Sequence, residues 1–303
     1  MDSKQIKKGA NRLFFLAWLA YSVSYMGRLN FSACISAISE DVGLSKAFLG
    51  SVGTVFLASY GLGQLVNGAI GDRISPKFMV GIGLFGAGAA NIMMGLNDKP
   101  LPMLIIWLLN GWFHSMLWSP IIKALSDWMP AEKLSKAGAN ISTTIPVGTI
   151  TSYAIASLIL SLSNWRLVFI VDGAILLLGG LIWFFGMAGL RDYIKHFDNM
   201  AKPQPSPNAP LQKNPLTGLK FFPLLFKAGL LFAVAAVFFN GVLKDGVTIW
   251  VPAFLSDFFG VSPGFSAALS MVMPLVSLGG AYAAIHVNEK YIKNEMATGG
   301  IFF

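Results

Sequence analysis

Long apolar runs alternate with short polar links along this chain, from Leu13 almost to its end. An apolar run of about 20 residues, coiled as a helix, matches the hydrocarbon thickness of a bilayer. Eight such runs stand out, at about 13–38, 47–70, 78–96, 101–126, 137–162, 167–189, 224–256 and 264–286. One link is long: about 190–222 is polar and rich in Pro, Lys and Asn. That composition buries too little apolar surface to fold alone and predicts a flexible linker. The pattern thus predicts an all-α polytopic membrane protein. It has a six-span bundle over 1–189, a linker over 190–222, and two spans with a tail over 223–303.

Composition agrees: 55% of the 303 residues are apolar and 12% are charged, about half the charged share of soluble domains. The net charge of +8 would point to nucleic acid in a soluble protein. Here its distribution matters more, and no nucleic-acid partner is predicted. Fourteen Lys and Arg fall on one side of the spans, from Lys4 and Lys7 through Arg73 and Lys133 to Lys227. Lys46, Lys99 and Arg166 fall on the other. The positive-inside rule then places the N-terminus and the linker in the cytoplasm, with the protein in the cell membrane. The basic start and the overlong first run read as a retained anchor rather than a cleaved signal. The single cysteine, Cys34, excludes an internal disulfide and a cysteine metal site.

A faint repeat runs through the pattern. Ser39-Glu40-Asp41-Val42-Gly43-Leu44-Ser45 follows the first span, and Ser256-Asp257-Phe258-Phe259-Gly260-Val261-Ser262 follows the seventh, a shift of 217. The same shift carries Arg28 to position 245, beside Lys244. Parallel six-span repeats are a transporter signature. On that basis the second copy is incomplete, and the apolar tail from Ala297 reads as the start of a ninth span of a twelve-span parent.

Candidate chemistry centres on Tyr21, Tyr25 and Arg28, spaced to share one helix face. A charge inside a span normally faces a protein interior or an aqueous path. The guanidinium fork suits phosphate or carboxylate. Arg28 therefore either walls an anion site or pairs with an acid on another helix. Lys244 either clamps an anion together with Arg28 or pairs likewise. Asp245 is a coupling carboxylate or a structural partner for a base. His114 and Lys123 are candidate substrate contacts, with packing for the histidine and snorkelling for the lysine as the alternatives. Asp172 is open between proton coupling and an ion pair. Gly68, Gly71, Asp72 and Arg73 form a tight turn read as a conformational latch. Gly81, Gly83 and Gly86 match a dinucleotide fingerprint but lie within a span, where they favour close helix packing. No metal or cofactor is predicted, and no nucleophile–base pair argues for an enzyme.

Together these residues resemble the major facilitator superfamily, whose Gly-x-x-Asp-Arg loop matches Gly68 to Arg73. Within it, the chain looks like the organophosphate:phosphate antiporter family, which includes glycerol-3-phosphate and hexose-phosphate transporters. The match rests on Tyr21-x-x-x-Tyr25-x-x-Arg28-x-Asn30-Phe31, on Gly111-Trp112-Phe113-His114 through Trp118, Pro120 and Lys123, and on Lys244-x-Gly246-Val247-x-x-Trp250-x-Pro252. The resemblance implies that basic residues of the first and seventh spans bind the phosphate group. Arg28 matches the first; Lys244 stands where the glycerol-3-phosphate transporter has arginine. That transporter's fifth-span histidine has no counterpart in Asn140 to Pro146. The implied activity is exchange of an organic phosphate or related anion for phosphate, by a monomer in the bilayer. Proton-coupled organic-anion uptake and transporter-like sensing are the alternatives.

Overall fold

The computed structural model describes residues 1–71, 73–201 and 230–292. Secondary structure among them is entirely helical. The first span is two helices, α1 (Ser3–Ser24) and α2 (Met26–Val42). Two unbroken helices follow, α3 (Lys46–Gly71) and α4 (Pro76–Gly95). The fourth span breaks into α5 (Pro100–His114) and α6 (Trp118–Trp128), and the fifth into α7 (Ala131–Ile141) and α8 (Thr144–Leu162). The sixth, α9 (Trp165–Ala188), is continuous. Past it, α10 (Arg191–Ala201) precedes α11 (Leu230–Phe259), α12 (Pro263–Ser270) and α13 (Val272–Val287).

One sequence expectation changes. The linker is not irregular throughout: residues 191–201 form α10. Tyr193 is buried, and its hydroxyl donates to the Trp128 carbonyl at 2.5 Å, while the Trp128 indole donates to Asp198 at 2.8 Å. Burial pushes the Tyr193 phenol up to about 12, so it remains a donor. Its own spacing puts Tyr193, Ile194 and Phe197 on one face, and that face packs on the core beside α6. Among the described residues, five stretches are long and apolar enough to cross a membrane: 46–71, 76–95, 100–128, 131–162 and 165–188. Of the other three expected spans, the first carries Arg28, Asn30 and inward-facing serines, and the seventh and eighth extend over positions outside the residues searched.

The distribution of side chains is that of a multi-pass membrane protein. Leu62, Leu65, Ile82, Leu101, Leu158 and Phe185 lie exposed on the outside. Ser24, Asn30, Asn91, Asn110 and Asp172 are buried inside. Water would select the opposite arrangement. Close helix contact is carried by glycines, as the sequence predicts. A Cβ on Gly173 would lie 2.8 Å from the Gly88 carbonyl, and one on Gly88 2.9 Å from that of Gly173, which locks α9 onto α4. Gly86 seats the Phe113 ring in the same manner.

The repeat is visible in local geometry. Gly43 and Gly260 adopt left-handed φ values of 72° and 64°. Ser39 donates to the Leu44 carbonyl at 2.8 Å, and Ser256 to that of Val261 at 2.9 Å. Ser45 caps the next helix by accepting from the Phe48 amide, as Ser262 does from Phe265. Each pair is related by the 217-residue shift.

Candidate functional site

A cavity of about 1190 Å3 lies between the first-half helices α1, α2 and α8 and the second-half helices α11 and α13. Tyr21, Tyr25, Arg28, Lys244 and Asp245 all line it. Arg28 arrives there because the first span breaks at Tyr25. The Arg28 amide donates to the Tyr25 carbonyl, a tightened turn, which leaves the Ser24 carbonyl without its helical partner. A His114 ring nitrogen lies 3.0 Å from that Ser24 oxygen. One turn later the Phe31 amide donates to Asn30 Oδ1, and the Gly27 carbonyl accepts from Asn110 at 2.8 Å and Asn91 at 3.1 Å. In an apolar bundle a broken helix needs such donors for its exposed carbonyls.

His114 is therefore a support, not a wall of the cavity. It is buried, and its second ring nitrogen faces the Asn110 carbonyl at 2.9 Å. It is not among the residues that line the cavity, where the sequence expectation placed a substrate contact. The break needed a donor, and the histidine occupies that place.

The Arg28 guanidinium sits among aromatic rings, 5.0 Å from the centre of Tyr60, 5.8 Å from Tyr25 and 6.0 Å from Phe56. Its Nη2 donates to Asp245 Oδ2 at 3.3 Å, an ion pair between the two halves. Arg28 thus has an acidic partner, and the position reached by the 217-residue shift is that partner. Lys244 is exposed in the cavity wall. The simple two-cation clamp becomes a triad of Arg28, Asp245 and Lys244.

Further along α11, Pro252 lies inside the helix. Proline has no N–H, so the Thr248 carbonyl four residues back loses its helical donor. The Tyr153 hydroxyl donates to it at 3.0 Å. Ser32 lies 3.2 Å from the same oxygen and 2.5 Å from the Ile249 carbonyl. First-half side chains thereby complete a second-half helix. At the end of the spans away from the N-terminus, Lys46 and Asp257 form another ion pair across the halves.

Other candidates lie apart from the cavity. The Lys123 ammonium donates to the Gly71 carbonyl at 3.1 Å, closing the end of α3, where a cation suits the helix dipole. Lys123 is not among the residues that line the cavity. Gly71 packs on Met79 and Pro120, while Gly68 is open and Arg73 exposed. Asp72 lies outside the described residues, as do the linker from 202 to 229 and the tail from 293. Asp172 is fully buried in the first half, and neither carboxyl oxygen makes a hydrogen bond among the described residues. No ion-pair partner for it is present among the described residues.

Sequence reasoning missed Tyr60, Tyr153 and Thr248. Tyr60 had a signal, four residues after Phe56 on one helix face. Tyr153 had none, because its partner is a carbonyl freed by a proline elsewhere.

Comparisons with known proteins bear on the family and the fold. The model of the Major Facilitator Superfamily matches residues 17–303. A probable hexose phosphate transport protein of Chlamydia pneumoniae is 25% identical over 267 residues, covering 84% of this chain and 59% of that protein. The glycerol-3-phosphate transporter of Bacillus subtilis is 24% identical over 307 residues, covering 96% and 68%. The chain thus spans about three fifths to two thirds of the length of these relatives. Among solved structures, a bacterial homologue of the human lysosomal transporter Spinster, inward-facing and unoccupied, superposes with a TM-score of 0.73 at 18% identity, covering 93% of this chain and 63% of that one. Broken spans around a cavity, the shared fold and the family match along nearly the whole chain place this protein in the Major Facilitator Superfamily.

Proposed function

We propose that this chain serves secondary transport of organic phosphates or related organic anions, exchanged for inorganic phosphate by alternating access. The observation that carries the reading is Arg28, held in a cavity between two halves with Lys244 on the opposite wall. Arg28 provides a flat fork of donors, Lys244 a second positive charge, and Tyr21 and Tyr25 nearby hydroxyls. The names of the relatives support the same substrate class. An anion that takes up Arg28 competes with Asp245, the acid that ties the halves together there. Occupancy of the site and movement of the halves are then linked, as exchange requires. The excess of Lys and Arg on one side supports a cytoplasmic N-terminus in the cell membrane. Gly68, Gly71, Asp72 and Arg73 serve this cycle as a latch.

Proteoliposomes loaded with phosphate test the reading by counterflow of labelled phosphate. Arg28→Gln is expected to abolish exchange and Arg28→Lys to retain part of it. Exchange unchanged in Arg28→Gln sinks the proposal.

A further inference from the structure

We propose that Asp245 is a built-in counter-anion that sets the charge of the ligand, so that the cavity takes an organic anion of net charge minus one in preference to a dianion. This rests on the anion-transport reading above and narrows it.

The charges facing the cavity among the described residues are Arg28, Lys244 and Asp245. Two cations and one carboxylate leave a single positive charge. Asp245 is also placed to count fully: its Oδ2 lies 3.3 Å from Arg28 Nη2. The arginine side chain is 16% exposed and the aspartate 35%, so water screens the pair only in part. The other cations of the neighbourhood are committed elsewhere, Lys123 to the Gly71 carbonyl and Lys46 to Asp257. The remaining walls are neutral: Tyr21, Tyr60, Trp118, Asn140 and Thr143 offer rings, hydroxyls and an amide. A monoanion with a hydroxylated body matches both features. A dianion brings a second charge with no partner, and a desolvated unpaired charge is strongly disfavoured.

The test uses two esters of one sugar. Glucose 6-sulfate carries one negative charge at any working pH. Glucose 6-phosphate at pH 8 carries two, because the second ionisation lies near pH ~6. Binding of each to the full chain in lipid nanodiscs is measured by titration calorimetry. Wild type is expected to bind the sulfate ester about tenfold or more tightly than the phosphate ester. Asp245→Asn raises the site charge by one and is expected to erase or reverse that preference. Asp245→Glu keeps the charge and is expected to keep the preference. Lys244→Gln, which does not touch the ion pair, is expected to weaken both esters, the dianion more.

A wild-type preference for the phosphate ester, or a sulfate-to-phosphate ratio that is the same in Asp245→Asn, overturns the proposal. Should Asp245→Asn fail to fold, a Lys244→Gln ratio equal to wild type overturns it too. Binding of both esters without charge preference removes this inference and leaves the transport reading standing. Binding of neither ester removes both.

Discussion

At Gly43 and Gly260 the two copies of the repeat turn through the same left-handed step, with the same serine bonds on either side. Half a span earlier they differ completely. The first copy breaks at Tyr25, and side chains of its own half supply the missing donors: His114, Asn91 and Asn110. The second carries Pro252 within an unbroken helix, and the carbonyl it frees is served from the other half by Tyr153 and Ser32. The loop geometry is local chemistry that both copies need. The mid-span geometry places Arg28 on one wall and Lys244 with Asp245 on the other, and there the copies have diverged. The first half is closed on itself, whereas the second leans on the first at the cavity.

The comparison breaks most visibly at the first copy's donors. Asn91→Ala with Asn110→Ala leaves the Gly27 carbonyl buried and unpaired. About 2 kcal/mol of stability is expected to go, from a range of about 1–3 for such a group. A fluorescence-monitored thermal midpoint in detergent reads it, and a midpoint equal to wild type rejects the support role. His114→Leu in the same assay is expected to lower the midpoint while ester binding survives, which separates support from substrate contact.

Tyr153→Phe with Ser32→Ala tests the leaning of the second half. A loss of about 1 kcal/mol is expected, since hydrogen bonds between membrane helices average roughly 0.6 each. Hydrogen exchange should rise in 248–256 and stay level around Gly27. A rise in both places equally would mean that the halves are not asymmetric.

Gly43→Ala and Gly260→Ala probe the shared element. Each puts a Cβ into left-handed backbone with open space around it, at a cost of about 1 kcal/mol. The two shifts should agree; a clear difference breaks the equivalence of the loops. The smallest effect belongs to Lys46→Ala. Its ion pair with Asp257 is partly exposed, so less than about 1 kcal/mol is expected, vanishing in high salt.

Much of this architecture is legible in one sequence. The apolar runs, the glycine stripe of α4 and the serine–glycine–serine loops follow from short-range rules, and the structure places them where those rules do. Arg28 is legible as a site residue because a charge in a span has few tolerable places. Asp245 is half legible: the 217-residue shift lands on it, but a helix-wheel argument cannot tell whether it faces Arg28 or turns away. His114 and Lys123 are less legible. A polar residue in a span satisfies any carbonyl in reach as readily as it binds a ligand, and the sequence does not show the free carbonyls of Ser24 and Gly71 that these two meet.

By itself, then, the sequence determined what depends on neighbours along the chain. Apolar length makes spans, glycine permits the left-handed turns, serine caps the helices that follow, and proline forbids one hydrogen bond. The tertiary structure alone decided which orphaned carbonyl each buried donor meets. It also decided that Arg28 faces an acid from the other half rather than empty space. Those pairings link residues as far apart as 217 positions, and their energy exists only once the halves have packed.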